Sequence, residues 1–475
     1  EGVRMQRRFG LLLVAALSAV AACSDDDDQP TECPEHYRVE GPACVPQYGE
    51  CDSGQVPLLG GACQAVGITT CASGFEPDSA DGCAPVLPEA PCGPGTMARV
   101  GDATCVAVGV RSCGQGFDGD GEGGCAPVLP PVDCANDELP VLGSPLCAPL
   151  AECGTGPWGN LTGDASPLYV DASFIGTPDG SAAAPYPTVG EAVAVASPGR
   201  AIYIAAGDYP EHLALPQRVF LKGRCPALVT LRGVEVAGTP RAPVEIPASA
   251  TGAALSGVTL TGDGPGLEIN GATGVVVERV RVQETGAAGV LVRDGEATLR
   301  RVLVHRATAR GVHAVGSEVT LNRCVVQDTR PLSGAYGRGV QAECNVQRQV
   351  CGRLEVQWSV LQRNHDSGIL LFGTDARIAG SVVRDTQPRP SDGLSGRGIN
   401  AQCDYEIDHC GWLEVRQVVL TANHDGGVVT QGYDTQLQDT TIRGGLAAPA
   451  TGTEGRGINS QCDSLTGLCG QLTVA

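Results

Sequence analysis

Residues suited to acid-base chemistry recur at a fixed interval in the C-terminal part of the chain. Asn364-His365-Asp366 returns as Asn423-His424-Asp425, 59 residues later. A histidine beside an aspartate suits proton transfer, but an active site needs one constellation, whereas this triplet belongs to the repeat. We therefore interpret the asparagine as a turn residue whose side chain bonds the backbone between stacked coils, and we assign no catalytic residue.

Cysteines keep the same interval and form three pairs, each with a gap of six residues. The gap suits a loop closed by a local disulfide, which would stabilise the fold by about 2.5 kcal/mol. A constant interval indicates stacked structural units. The predicted pairs are Cys344 with Cys351, Cys403 with Cys410, and Cys462 with Cys469.

One arginine precedes each pair, and Arg338, Arg397 and Arg456 should form a column with a step of about 10 Å. Two interpretations stay open. Each arginine could pair with a nearby carboxylate such as Glu355 or Glu414, or the row could bind a periodic anion such as an acidic glycan.

Composition restricts the partners and the compartment. The net charge is −21 and Lys222 is the only lysine, which argues against nucleic acid because phosphate attraction needs clustered Lys or Arg. The 22 cysteines indicate an oxidising compartment.

The first residues predict export. Arg7 and Arg8 precede the apolar run 11–20, which is too short to span a bilayer and is typical of a signal peptide. Residues 20–23, Val-Ala-Ala-Cys, resemble a bacterial lipobox, so we expect lipidation at Cys23 and anchoring to the bacterial cell envelope at the outer membrane. Cleavage after 19–21, Ala-Val-Ala, is the alternative. Residues 1–22 are then upstream residues and signal peptide, and 23–32 an acidic tether.

Residues 33–153 form a cysteine-rich region with repeats of about 42 residues. Cys63, Cys71 and Cys83 recur as Cys105, Cys113 and Cys125. We predict small disulfide-stapled modules acting as a stalk, with connectivity open. The region has 13 cysteines, so one is free or pairs with a later one such as Cys225. The spacing does not favour zinc. Residues 118–123 resemble a calcium loop faintly, but a solvated acidic turn is the preferred interpretation.

Residues 154–170 are predicted to be a linker and 171–225 a cap. The cap carries Asp171, Gly176 and Asp179, then Pro185, 187–188 Pro-Thr, 198–199 Pro-Gly and 209–211 Tyr-Pro-Glu. This pattern resembles the N-terminal cap of pectin-lyase-like right-handed parallel β-helix proteins, a group that includes domains of unknown function in bacterial surface proteins. We expect a short helix over 189–196 and a strand over 201–205.

Residues 226–475 should form parallel β-helix coils. Tetrapeptides that begin with glycine mark the coils, and apolar runs such as 297–304 supply a second strand. Each 59-residue repeat, from about residue 337, is then two coils. Cys324 is expected to be buried. The sequence stops within a strand, so we expect further coils and a cap.

The fold class is therefore mainly β, a right-handed parallel β-helix after a disulfide-rich region. The resemblance implies a kinship with pectate lyases, polygalacturonases and uronan epimerases, but the aspartate motifs of the polygalacturonases are not found. We expect an envelope-anchored lipoprotein that presents the β-helix to glycan or protein ligands without catalysis. The alternative is a polysaccharide-active enzyme. Apart from the possible calcium ion, no cofactor is expected.

Overall fold

The computed structural model describes residues 32–475 except 42, 53–54, 66–69, 79–81, 94, 111, 136, 451 and 453–454. The predicted signal peptide and Cys23 lie outside the described residues. The chain divides into two compact units, residues 1–106 and 107–475.

Residues 168–475 form a parallel β-helix of three sheets, which is the predicted fold, and its strands begin before residue 226, the predicted start of the coils. Sheet A consists of Leu168–Val170, Arg200–Ile204, Val219–Gly223, Ala254–Ser256, Val275–Glu278, Glu296–Arg300, Glu318–Asn322, Arg353–Gln357, Asp375–Ala379, Trp412–Arg416, Asp434–Gln438 and Leu472–Val474. Sheet B consists of Gly207–Pro210, Val229–Arg232, Thr259–Gly262, Arg281–Thr285, Leu303–His305, Val325–Gln327, Val360–Gln362, Val382–Arg384, Val419–Thr421 and Thr441–Arg443. Sheet C consists of Leu213–Ala214, Val244–Pro247, Leu267–Asn270, Val290–Arg293, Arg310–Val315, Arg338–Glu343, Ser367–Phe372, Arg397–Gln402, Gly426–Gln431 and Arg456–Gln461.

The core is a stack of like residues. Val277 pairs in register with Leu299, and Leu299 with Leu321 on the next coil. All three side chains are fully buried. Alternate residues of each strand point outward, so a strand too short to hold a core alone contributes two or three apolar side chains to a continuous one.

Each coil has three strands, whereas the sequence predicted two. The run 297–304 divides at Arg301 into Glu296–Arg300 of sheet A and Leu303–His305 of sheet B. Arg301 has φ of 50°, in the left-handed region, and Trp358 and Gln417 repeat this corner with φ of 53°. Gly257, Gly380 and Asp439 occupy the equivalent corner of other coils with positive φ, but Arg301, Trp358 and Gln417 are residue types that do not signal a turn.

Glycines at the start of the sheet C strands have a packing reason. A Cβ atom on Gly339 would come 2.5 Å from the carbonyl oxygen of Gly368 on the next coil, and a Cβ atom on Gly368 would come 2.7 Å from the Gly398 oxygen. Neighbouring coils therefore approach too closely at this point for any side chain.

The helix Val189–Val195 covers the first coil, as the cap prediction required. Its Val189, Ala192 and Val193 are buried in the core. The Glu211 carboxylate accepts hydrogen bonds from the first backbone N–H groups, at 2.9 Å from Val189 and 2.7 Å from Gly190. The first strand of sheet A, Leu168–Val170, lies in the predicted linker. No helix of the described residues is long and apolar enough to cross a bilayer.

The cysteine-rich region folds into hairpins, each stapled by sequential cysteines. Its strands are Tyr37–Glu40, Ala43–Pro46, Gln55–Pro57, Cys63–Ala65, Phe75–Pro77, Cys83–Pro85, Thr96–Met97, Val106–Ala107, Phe117–Gly119, Cys125–Pro127, Glu138–Pro140 and Cys147–Pro149. The disulfides are 33–44, 51–63, 71–83, 92–105, 113–125 and 134–147. The odd cysteine, Cys153, bonds to Cys225, the later partner named from the sequence.

The hairpins from residue 113 to 150 do not project as a stalk. They lie along the outer face of sheet B, where Phe117 packs against Val382 and Val419. The expectation of a stalk is therefore wrong for these residues. The hairpins pack on sheet B because its outward column of aliphatic residues would otherwise be exposed to solvent.

The remaining elements are the hairpin Glu235–Val236 with Thr239–Pro240 and the 3₁₀ turn Ala248–Ala250.

Candidate functional site

Two rows of loops flank alternate strands of sheet C. The first row joins sheet B to sheet C and consists of residues 328–337, 385–396 and 444–455. The second row joins sheet C to sheet A and consists of residues 344–352, 403–411 and 462–471. The outer face of sheet C between the two rows is called the groove below.

Loops of the first row bond to one another. The Ser391 N–H donates to Gly334 O at 3.0 Å, and the Ala450 N–H donates to Gly393 O at 3.3 Å. Successive loops thus form one continuous wall although two coils, about 10 Å, separate their attachment points.

Loops of the second row are closed by the disulfides Cys344–Cys351, Cys403–Cys410 and Cys462–Cys469. The Cys344 sulfur lies 3.6 Å from the carbonyl oxygen of Phe372 on the following coil. The predicted free thiol of Cys324 is buried in the core, and burial raises its pKa to about 12. Cys324 is therefore unreactive at neutral pH.

A hydrogen-bonded network crosses the groove floor at its first repeat. His313 Nε2 is 2.8 Å from Glu343 Oε1, and Gln341 donates to Glu343 Oε2 at 2.5 Å. Arg310 Nε and Arg338 Nη1 both donate to Gln341 Oε1 at 2.7 Å. These side chains come from two neighbouring coils. Gln341 and Glu343 lie two residues apart and therefore share the outward face of their strand, and His313 is the register partner of Gln341 on the preceding coil.

The network holds Glu343 ionised. Burial alone would raise the pKa of Glu343, but the hydrogen bonds from His313 and Gln341 and the charge of Arg310 outweigh burial and lower that pKa. Burial lowers the pKa of His313, and the Glu343 hydrogen bond offsets this only in part. At neutral pH a neutral imidazole therefore faces a carboxylate, an arrangement able to accept or transfer a proton.

The predicted arginine column exists, and its members face the groove at one register position. Arg338 donates to Asp366 at 2.6 Å and Arg397 to Asp425 at 2.7 Å. The suggested partners Glu355 and Glu414 are wrong, because both lie on sheet A. Arg456 is exposed.

The Asn-His-Asp triplets belong to the corner between sheets B and C. Asn364 Oδ1 accepts from Thr329 N at 3.2 Å and Oγ1 at 2.7 Å, and its amide donates to Val326 O at 2.9 Å. Asn423 repeats these contacts one repeat later. The asparagine is thus a turn residue that joins stacked coils, as interpreted. The histidines bond backbone carbonyls through Nδ1, and the aspartates hold Arg338 and Arg397.

The ionisable pair of the floor is not repeated. Residue Glu343 is replaced by Gln402 and Gln461 in the following repeats, and Gln341 by Asn400 and Asn459. Sequence reasoning missed His313 and Glu343. The signal for His313 was the third residue of each glycine tetrapeptide, which points outward in every coil and is His only at 313. The signal for Glu343 was that it alone is acidic where the later repeats have Gln402 and Gln461.

A notch opens between the first two disulfide loops, beside Glu343. Its volume is about 320 Å³, and its lining includes Phe372, Tyr405, Glu406 and Asp404. Tyr405 is 62% exposed. An aromatic face next to carboxylates is the usual lining of a sugar site, because the ring stacks on C–H groups and the acid bonds hydroxyls.

Among the described residues no set of three or more His, Cys, Asp or Glu side chains is arranged to hold a metal ion. The acidic turn 118–123 is not solvated throughout. Asp120 pairs with Arg443 of sheet B and accepts from Gly124 N at 2.9 Å. This ion pair occupies the carboxylate that a calcium ion would need.

The sequence matches a family model described as a right-handed beta helix region over residues 265–446. No curated protein matches the chain. Solved structures that the chain matches include the mannuronan C-5 epimerase AlgE4 A-module of Azotobacter vinelandii, with 13% identity, 58% of this chain and 89% of that chain covered, and a TM-score of 0.37. The alginate lyase of Paenibacillus sp. str. FPU-7 has 14% identity, coverage of 57% and 96%, and a TM-score of 0.38.

The catalytic domain of a GH87 α-1,3-glucanase in complex with nigerose has 13% identity, coverage of 66% and 70%, and a TM-score of 0.40. The family match agrees with the three parallel sheets of residues 168–475. The coils of this chain form a right-handed parallel β-helix.

Proposed function

We propose that the protein is a cell-envelope lipoprotein, anchored through Cys23, that binds glycan in the groove of sheet C without catalysis. The notch beside Tyr405 carries this proposal. It combines an exposed aromatic ring, the half-buried Phe372 and the carboxylate of Glu343 within one concave surface. Two loop rows extend the same surface along the helix axis, which suits a chain-like ligand.

Neutral sugars fit the notch better than acidic ones. Three carboxylates, those of Glu343, Asp404 and Glu406, line it, and Arg338 and Arg397 are already paired with aspartates. An acidic glycan would lie against these carboxylates, so the arginine row is a weaker candidate for ligand contact. A surface protein is the other possible partner.

The test is calorimetric titration of residues 23–475, with disulfides formed, against neutral and acidic oligosaccharides. We expect binding of a neutral oligosaccharide that Tyr405→Ala weakens about tenfold, the value of one lost stacking contact. Leu465→Ala is the matched control, since Leu465 is an exposed apolar residue of the third disulfide loop. Binding that is as strong in Tyr405→Ala as in the wild type would contradict this assignment. A preference for acidic glycans that Arg338→Ala abolishes would contradict it as well.

The second candidate is a polysaccharide-active enzyme, and the unrepeated His313–Glu343 pair favours it. The pair holds a neutral imidazole and a carboxylate next to the notch, which general acid-base catalysis requires. Release of reducing ends or unsaturated uronides from the same oligosaccharides would establish it, provided that Glu343→Gln abolishes turnover while binding persists.

A further inference from the structure

The hairpins of residues 113–150 bury a set of apolar side chains on sheet B. Phe117 packs on Val382 and Val419, and a neighbouring cluster joins Leu139 and Leu150 to Leu303, Val325 and Val360. Leu129 and Leu142 pack at the edges of these clusters. Polar contacts fix the register, since Asp133 pairs with Arg363 at 3.0 Å and Cys125 N donates to Thr441 Oγ1 at 2.9 Å.

The hairpins of residues 33–105 have the same construction. Val128 N donates to Gly116 O at 2.9 Å in the packed hairpins, and Val86 N donates to Gly74 O at 2.9 Å in the equivalent earlier one. Counting from the cysteines, Phe75 occupies the place of Phe117, and Met97 occupies the place of Leu139.

These equivalent positions are apolar and exposed in residues 33–105. Phe75 is 41% exposed against 7% for Phe117, and Met97 is 49% exposed against 2% for Leu139. Four positions of the packed hairpins contact sheet B, namely those of Phe117, Leu129, Leu139 and Leu142. In both earlier copies of the repeat, all four equivalent residues are exposed. The exposed residues, called the docking stripe, are Tyr37, Tyr48, Val56, Leu59, Phe75, Leu87, Met97 and Val100.

Eight exposed apolar side chains at four repeated positions are too regular for ordinary surface scatter. The packed hairpins define what such positions contact, namely an outward column of Val and Leu on a parallel sheet. The 59-residue repeat supplies this column, because Val360 and Val419 are equivalent residues in successive repeats.

A second copy of the chain does not offer this surface. Its column from Leu303 to Val419 is covered by its own hairpins. The outer face of sheet A is polar, as Arg300, Glu355 and Arg377 illustrate. On sheet C the outward Leu370 and Val429 are themselves buried and alternate with the polar Gln341 and Asn400, so they do not form an exposed apolar column.

We propose that the docking stripe binds the outer face of additional β-helix coils built from the same 59-residue repeat. The interface continues the one that residues 113–150 make with sheet B. In that interface the two hairpins of residues 113–150 cover the sheet B strands of six coils, from Leu303 to Thr441. Because each repeat forms two coils, six coils correspond to three repeats.

Met97 allows a test without a reporter mutation, because the only other methionine, Met5, precedes Cys23. Its oxidation by dilute peroxide is followed by mass spectrometry in residues 23–475 and in a chain lengthened by three copies of residues 338–396 inserted after Gly396. We expect oxidation of Met97 to be at least five times slower in the lengthened chain. Circular dichroism and thermal unfolding verify that the added coils fold.

The control is the same lengthened chain with Val360→Glu and Val382→Glu in the inserted copies. These changes leave the inner core intact and remove the outward column, so fast oxidation should return. Equal oxidation rates in the original and lengthened chains would overturn the proposal. Protection of Met97 in the original chain that rises with protein concentration would also overturn it, because a second copy would then be the occupant.

Discussion

His313 and Glu343 lie on neighbouring coils of sheet C, with His313 Nε2 2.8 Å from Glu343 Oε1. A carboxylate and an imidazole thus share the outer face of a fold whose later repeats carry Gln402 and Gln461 in place of Glu343, and Leu370 and Val429 in place of His313. The pair makes the first repeat the chemically distinct one.

Replacing Glu343 by Gln should lower stability in a pH-dependent way. The pKa of Glu343 is lowered in the folded protein, so its contribution is present above the unfolded pKa of about 4.3 and is lost as pH falls through the folded value. We expect Glu343→Gln to lower the thermal midpoint at pH 7 and to differ less from wild type at pH 3. A difference that grows on acidification would contradict this linkage.

Arg338→Ala should destabilise the coils around it by about 3 kcal/mol, because the Asp366 side chain, only 5% exposed, loses its closest cation. Hydrogen exchange of strands 338–343 and 367–372 measures the effect locally. The double variant with Asp366→Asn should recover most of the loss. Absence of recovery would mean that packing of the arginine, rather than its charge, matters.

Cys344→Ser with Cys351→Ser should cost about 2.5 kcal/mol, the loop entropy of a short ring. The same change at Cys462 and Cys469 is the matched control. Of these two variants we expect only the first to weaken ligand binding as well, since the 344–351 loop lines the notch and the 462–469 loop does not. Equal loss of affinity in both variants would place the ligand elsewhere in the groove.

Asn364→Ala should destabilise by about 2 to 3 kcal/mol, because the Thr329 and Val326 backbone groups lose their buried partner. Asn364→Asp keeps the acceptor and loses the donor, so we expect an intermediate effect. Chemical denaturation checks both. If the triplet is structural, His365→Ala should lower the free energy of unfolding by less than Asn364→Ala does.

Phe117→Ala should cost about 3 kcal/mol, since its ring is buried on Val382 and Val419. Phe75→Ala, at the equivalent exposed position, should change the stability of residues 23–475 by less than about 0.5 kcal/mol. Thermal unfolding of the two single variants gives the comparison. Similar losses would show that Phe75 already has a partner.

Repeats made the coils predictable, since a residue that returns every 59 positions must occupy equivalent places in a stack. The same logic indicated the three disulfide loops and the structural role of Asn364. The odd number of cysteines in residues 33–153 indicated that one of them is free or pairs with a later cysteine such as Cys225, and the structure identifies that cysteine as Cys153.

Other features carried no local signal. Arg301 turns the chain in a left-handed conformation that its residue type does not announce, so the third strand of each coil was missed. The partners of Arg338 and Asp120 are set by contacts between distant segments. Packing of Phe117 on sheet B depends on a column of valines that sequence alone does not place on the outside.

The wall joined by Ser391 N and Gly334 O has an evolutionary consequence. Each bond links one repeat to the next, so duplication of a whole repeat would create the same bond again without remodelling its neighbours. Unequal recombination between such repeated segments would lengthen the groove in steps of about 10 Å. If the groove binds glycan as proposed, the length of ligand in contact with the protein would change in the same whole-repeat steps.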